Sequence, residues 1–298
     1  LLAVPTAGFV VRTFIVQHDC GHGAFFKSRR ANDLVGRLCS VVTFTPYANW
    51  RRQHNGHHGN WNNLDRRESG ADIYSACLTV EEYRALSPWR RFAYRFVRNP
   101  IVAQLVIPPL VFLFLYRLPF DTPKAWGRER RSVYWTDLAI LGVLGGLAFL
   151  VGVKPVIMVQ LPIIMLASIM GIGLFALQHR FDGVVWTRQN AWTAQAAALK
   201  GSSYFKLPRI LQWFTGNIGF HHVHHLCPRV PNYRLEACHN SIPALQAART
   251  LTWREGLRSL RLVLWDETNG RMVRFADVRG AMFRSAASAQ EQPIGPSL

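Results

Sequence analysis

The sequence predicts an all-α fold: integral membrane helices with a cytoplasmic helical cap that carries three clusters of histidine. Three observations predict it. Hydrophobic residues make up 49% of the chain and concentrate in long blocks. Arginine-rich stretches separate those blocks, a pattern typical of helical membrane proteins. Nine of the 11 histidines lie in three short clusters with the spacing of helical turns.

Four apolar blocks predict the membrane segments, and they cover residues 1–17, 101–118, 138–153 and 155–178. At a rise of 1.5 Å per residue, the last block is about 36 Å long, which is enough to cross a bilayer. The residues between Gly152 and Pro155 predict a tight turn, so the last two blocks form a hairpin that returns to the side it left.

The block at 101–118 differs from the others, because arginines precede and follow it and Pro108-Pro109 interrupts it. Positive charge at both ends disfavours a crossing, and proline breaks a helix. We therefore expect a re-entrant or interfacial segment, with a third span as the alternative. If the block does not cross, all three histidine clusters share one aqueous face.

The ends of the chain give two further expectations. Leu1 already lies inside an apolar run, which indicates an N-terminal truncation. We expect one membrane domain over residues 1–280 and a disordered C-terminal tail over 281–298, where apolar residues are few.

The charge balance and the cysteines exclude some protein classes. The chain has 35 Lys and Arg against 17 Asp and Glu, a net charge of +18. These basic residues flank apolar segments and do not form one basic face, so we expect a membrane protein and no nucleic-acid partner. Five cysteines without paired spacing indicate a reduced, cytoplasm-facing setting.

The histidine spacing predicts metal ligands, because positions i, i+3 and i+4 share one face of a helix. Each cluster can then aim its rings at one point. A further histidine ends the longest apolar block. The predicted ligands are His18, His22, His54, His57, His58, His179, His221, His224 and His225.

Nine imidazoles are too many for one ion of ordinary coordination, so we expect two ions with four or five nitrogens each. Imidazole suits zinc, copper, iron and nickel, and the ligand count disfavours zinc. The count does not choose between iron and copper.

Four residues are candidates to support the ligands from outside. Asp19 and Asp182 lie near ligand histidines and could accept a ring N–H, although surface carboxylates are equally common. Asn217 lies four residues before His221, hence on the same face of a helix, so it could reach a metal-bound water or make a helix or turn contact. His222 points about 100° away from its neighbour and is expected to support the cluster. We interpret His239, which has no neighbouring histidine, as structural.

At these residues the sequence resembles the membrane-bound fatty acid desaturases. "HDCGH" at 18–22, "HNGHH" at 54–58 and "HHVHH" at 221–225 are similar to that family's three histidine boxes. "SSYFKLPRILQWFTGNIGFHHVHHLCPRVPNYRL" is similar to the omega-6, or delta-12, acyl-lipid branch, and "LQHRFD" at 177–182 resembles its additional histidine. The resemblance covers residues 10–270.

The resemblance implies two iron ions held by the histidines, O2 as oxidant, and removal of two hydrogens from a lipid acyl chain. It also implies an external electron donor, a ferredoxin or another small carrier, because the sequence contains no His-Pro-Gly-Gly haem motif. Sister reactions on the same centre are the alternative: hydroxylation, epoxidation, acetylenic bond formation or carotenoid oxidation. A non-catalytic membrane protein that binds metal is the alternative from another class.

Overall fold

The computed structural model describes residues 1–67 and 76–278 of the chain. Most of these residues are helical, which confirms the predicted class. The helices are α1 Ala3–His22, α2 Arg29–Thr43, α3 Tyr47–Asn60, α4 Val80–Ala85, α5 Pro88–Val97, α6 Ile107–Leu113, α7 Gly127–Val151, α8 Val153–His179, α9 Ala194–Gly201, α10 Arg209–Phe214, α11 His221–Leu226, α12 Leu235–Ser241, α13 Pro243–Gln246 and α14 Trp253–Ser259. The predicted tail at 281–298 lies outside the described residues, and the domain limits stay a prediction.

Two small sheets, which the sequence analysis did not predict, join parts of the cap. The strands are β1 Leu78–Thr79, β2 Tyr204–Phe205, β3 Thr250–Leu251, β4 Leu264–Asp266 and β5 Arg271–Val273. β1 pairs in parallel with β4, which pairs antiparallel with β5, and β2 pairs in parallel with β3. Runs of two or three residues carry too little alternation to be recognised from sequence.

The predicted hairpin is confirmed. α7 and α8 are each long and apolar enough to cross a membrane. Only Gly152 separates them, and its φ of 88° is a conformation that glycine adopts without strain. α7 begins at Gly127, before the predicted start of its apolar block at residue 138, and its 25 residues give a length of about 37 Å.

The apolar segment at 101–118 is broken into three pieces. Val102–Val106 forms a π-helix, α6 follows with Pro108 and Pro109 in its first turn, and a 3-10 turn ends at Arg117. Together these pieces are bent by 58° from α5. By length and composition the described residues form two spans, or three if the bent pair crosses as one. The re-entrant path therefore stays a prediction.

α1 lies beside α8, and this packing positions the histidines at the ends of both helices. Ala7 and Val11 form a buried cluster with Ala167. His18 lies about three turns beyond Ala7, and His179 lies about three turns beyond Ala167. The two helices therefore bring their C-terminal histidines to the same end of the bundle.

Buried polar contacts fix α1 against the junction of α2 and α3. The Gln17 side chain donates to the carbonyl of Thr45 at 3.0 Å and accepts from the Thr43 hydroxyl at 2.6 Å. The Tyr47 hydroxyl donates to the carbonyl of Cys20 at 2.8 Å. Because these groups are buried, each lost bond leaves an unsatisfied polar group, which costs about 1–3 kcal/mol.

We expect Gly36→Ala to destabilise the protein. A Cβ at Gly36 would lie 2.3 Å from the Tyr47 ring, so the ring must move away from Cys20. The free energy of unfolding should fall by about 1–3 kcal/mol, as for other overpacked sites. Thermal unfolding of the detergent-purified protein measures the effect. Gly142→Ala is the control, since a Cβ there meets no heavy atom within 4 Å. Equal unfolding midpoints for the two variants would contradict this expectation.

Candidate metal centre

Four helices deliver histidines to the site from their last turns. α1 carries His22 there, α3 carries His57 and His58, α8 ends at His179, and α11 carries two more histidines. The C-terminal end of a helix bears partial negative charge from its unpaired carbonyl groups, which favours a nearby cation. The convergence of these ends is therefore electrostatically suited to positive ions.

The first group of rings contains five histidines: His18, His22, His54, His58 and His224. All five ligand nitrogens lie within 4.8 Å of one another. The Nε2 atom of His224 is 3.0 Å from that of His18 and 2.9 Å from that of His58. The Nε2 atom of His22 is buried and accepts no hydrogen bond from the residues that the structure describes, so it is free to bind an ion.

The second group contains four histidines: His57, His179, His221 and His225. The ligand nitrogens of the first, second and fourth lie within 4.8 Å of one another. The Nε2 atom of His179 is 3.0, 3.1 and 2.9 Å from those of His57, His221 and His225, respectively. Together the two groups contain all nine predicted ligand residues.

The second and third clusters divide between the groups, so the expectation that each cluster aims at one point is wrong. Rings at i and i+4 stay together, as in His54 with His58 and His221 with His225. The intermediate rings, His57 and His224, belong to the opposite group. A helix turns by about 100° per residue, so adjacent rings diverge and can face two different points.

Hydrogen bonds to the far side of two rings set their tautomers. The Nδ1 atom of His179 is 2.7 Å from the carbonyl oxygen of Phe175, which can only accept. The Nδ1 atom of His18 is 3.1 Å from a carboxylate oxygen of Asp19. Nδ1 therefore carries the proton of each neutral ring, and Nε2 presents a lone pair to the centre of its group.

The spacing of these nitrogens fits metal coordination. Two nitrogens each about 2.1 Å from one ion, at a right angle to each other, are about 3 Å apart. The close Nε2–Nε2 distances within the groups run from 2.9 to 3.4 Å and lie near that value. Lone pairs this close repel one another unless a cation lies between them, so the donor sets fit two metal ions.

Burial favours the neutral form of several of these rings, which is the form that binds metal. Desolvation lowers the pKa of His54, His58, His221, His224 and His225 well below the ordinary range, and neighbouring imidazoles lower it further. Protons therefore compete weakly for these nitrogens at neutral pH.

The structure places the four residues that were predicted to support the ligands in different environments. Asp19 contacts His18, and the Nε2 atom of His222 is 3.0 Å from Nδ1 of His239, a histidine outside both groups. Asp182 is exposed and makes no hydrogen bond or ion pair with the described part of the chain. Asn217 lies in a turn with φ 57°, outside α11, so the premise that it shares a helix face with the histidines is wrong.

Several residues that surround the rings were not predicted from the sequence. Trp50 stacks on His54 with centroids 4.6 Å apart, and Trp61 packs edge-on against His179 at 4.5 Å. Asn232 donates to Asp19 from 213 positions away. Trp50 and Trp61 lie four residues from a histidine of the second cluster, so helical spacing could have suggested them, but no local signal identifies Asn232.

An apolar cavity extends from the histidines between α1 and α8. Its wall includes rings of both groups, His18 and His54 from the first and His57 and His221 from the second. Along α8 the lining residues follow the helical period and include Ile164, Ala167, Ser168, Gly171, Leu174, Phe175 and Gln178. Val10, Val11, Phe14 and Ile15 line it from α1.

These features define a membrane protein in which two groups of histidine, each able to hold a metal ion, lie at the end of an apolar cavity. The chain belongs to the fatty acid desaturase family, whose sequence model matches residues 1–256. It is therefore an oxidoreductase of lipid metabolism, as the motifs predict.

Relatives of known name are similar over most of the chain. A fatty acid desaturase of Bacillus subtilis is 42% identical over 93% of this chain and 78% of its own length. An sn-1 oleoyl-lipid 12-desaturase of Picosynechococcus is 27% identical over 77% of this chain and 64% of its own. An sn-2 acyl-lipid omega-3 desaturase (ferredoxin) of Helianthus annuus is 29% identical over 78% of this chain and 53% of its own. The chain thus spans about half to two-thirds of the length of these cyanobacterial and plant relatives.

We expect His57→Ala to lose the ion of the second group and retain the ion of the first. The Nε2 atom of His57 lies 3.0 and 3.4 Å from those of His179 and His225, which both belong to the second group. Metal analysis of the purified protein should show about one iron per chain and no product formation. His239→Ala is the control and should keep two irons, since its ring contacts His222 and no ligand ring of either group. Full activity in the His57 variant would contradict its role.

Proposed function

We propose that this protein is an oxygen-dependent desaturase that introduces a cis double bond into a fatty acyl chain, at two iron ions held by the nine histidines. The observation that carries the proposal is the apolar cavity, whose wall includes histidines of both groups. A cavity lined mainly by aliphatic and aromatic side chains suits a hydrocarbon chain. Its contact with both groups would place that chain beside the oxidising centre.

The donor set disfavours zinc, and membership of the desaturase family favours iron. The group of five imidazoles exceeds the three or four protein ligands of ordinary zinc sites. Iron bound there would supply, with O2, the power to remove hydrogen from an unactivated methylene, which side-chain acids and bases cannot do. Overall, two hydrogens leave adjacent methylenes and a C=C bond forms. O2 takes these hydrogens together with two external electrons and two protons, and two water molecules result.

The residues of the chain itself bind and orient the substrate. Phe14 and Phe175 line the cavity close to the rings, each four residues before a ligand histidine, and would hold one pair of methylenes in place. Their apolar surface also excludes water, which protects a reactive centre from side reactions. The buried hydrogen bonds to Nδ1 of His18 and His179 keep their Nε2 atoms facing inward.

We propose a glycerolipid as the carrier of the acyl chain. The names of the Picosynechococcus and Helianthus relatives, which specify lipid-linked acyl substrates, give two arguments for this carrier. A third is the position of the cavity between α1 and the membrane helix α8, because a lipid can then enter from the bilayer.

We further propose a multi-pass protein with the histidine boxes on the cytoplasmic face, and a small acidic electron carrier such as a ferredoxin. The excess of Lys and Arg supports this orientation, since positive loops remain cytoplasmic. The same charge would attract an acidic partner and speed its association. The name of the Helianthus relative includes ferredoxin.

Expression in a host with defined lipids tests the reaction. We expect a new monounsaturated or diunsaturated acyl chain on membrane lipids, formed only when O2 and a reductant are present, and mass spectrometry of the lipids detects it. The matched control is His57→Ala. A hydroxylated, epoxidised or acetylenic product would instead assign a sister reaction. Bound zinc with no oxygen consumption would support a metal-binding protein and contradict an enzyme.

Gly171→Leu should shorten the acceptable acyl chain. Gly171 lines the cavity eight residues, or about 12 Å, before His179, and a Cβ there meets no heavy atom within 4 Å. A leucine would fill this space, so the ratio of long-chain to short-chain conversion should fall about tenfold or more. Product profiles over an acyl length series measure it. Gly142→Leu on α7, away from the cavity lining, is the control. An unchanged profile at retained activity would contradict the proposed cavity.

A further inference from the structure

A buried carboxylate links the first histidine cluster to the segment after the third. Asp19 is 2% exposed, and one of its oxygens lies 3.1 Å from Nδ1 of His18. Its other oxygen accepts two hydrogen bonds from Asn232: the backbone N–H at 2.6 Å and the side-chain Nδ2 at 2.8 Å. Asn232 is 6% exposed and begins the 3-10 turn Asn232–Arg234. The two linked segments are 213 positions apart in sequence.

The charge of Asp19 has no conventional partner. In the part of the chain that the structure describes, its one ion-pair contact is with His18, and no lysine or arginine pairs with it. A buried carboxylate is costly without a compensating cation. A metal ion on the far nitrogen of His18 would provide that cation through the ring, so the carboxylate and the metal would stabilise each other.

We propose that Asn232 is a positioning residue for the metal ion of the five-histidine group. The inference rests on the two-ion centre proposed above. Two donated bonds fix the carboxylate of Asp19, the carboxylate fixes the orientation and tautomer of His18, and Nε2 of His18 is thereby held toward the ion. His18 belongs to the five-histidine group, so the effect of Asn232 is confined to one of the two ions.

A positioning role and a packing role predict opposite orders of damage for two variants of Asn232. Asn232→Ala removes the side-chain donor and leaves the backbone N–H. Asn232→Asp is nearly isosteric but places a second carboxylate oxygen against Asp19, which repels it and displaces it from His18. A positioning role therefore makes Asp more damaging than Ala. A packing role makes Ala more damaging than Asp, because only Ala loses volume.

The test measures release of iron from the purified holoprotein into a ferrous chelator, with absorbance of the chelate as the signal. It requires no substrate turnover, so it is independent of whether the reaction is desaturation. In wild-type protein two release phases are expected, one for each ion. Asn232→Ala should accelerate one phase about tenfold, the range seen when a ligand's outer partner is removed. Asn232→Asp should accelerate that phase further and leave the other phase unchanged.

Two comparisons complete the experiment. Asn240→Asp adds the same charge at an exposed position of α12 and should leave both phases unchanged. Asp19→Asn should accelerate the same phase as the Asn232 variants, and it keeps the proposal testable if one of those fails to fold. Wild-type release in both Asn232 variants would overturn the proposal. So would equal acceleration of both phases, or Ala more damaging than Asp.

Discussion

The structure depends on one electrostatic constraint: nine imidazole rings present their nitrogens to two small volumes, and the closest pair in each is 2.9 Å apart. Such crowding of lone pairs is unfavourable unless cations lie within it. Burial adds to the constraint, because desolvation lowers the pKa of rings in both groups, such as His54 and His225, and keeps protons from supplying the positive charge there. Metal binding would therefore contribute directly to the stability of the fold.

The arrangement of helices follows from that constraint. α1 and α8 lie side by side with their C-terminal ends together, and α3 and α11 add rings from their own last turns. The partial negative charge of these helix ends favours cations. The same packing of α1 on α8 leaves the apolar cavity that extends from the rings. One pair of packed helices thus positions both the proposed metal centre and the proposed acyl chain.

The features that could be predicted from the sequence are those that depend on local periodicity. Helical spacing within each cluster and the long apolar blocks identified the ligand candidates, the hairpin and the class of fold. The division of rings between the two groups was not predictable, because it places His57 and His58 in different groups and depends on how four helices meet. The predicted helical position of Asn217 was wrong for a related reason, because α11 begins only at His221. The contact between Asp19 and Asn232 is purely tertiary.

Anomalous X-ray diffraction from crystals of the holoprotein, collected at the iron absorption edge, would locate the ions among the nine rings. We expect two iron peaks for each chain. One peak should lie among His18, His22, His54, His58 and His224, and the other among His57, His179, His221 and His225. A single peak, or a peak outside these two groups of rings, would contradict the proposed two-ion centre.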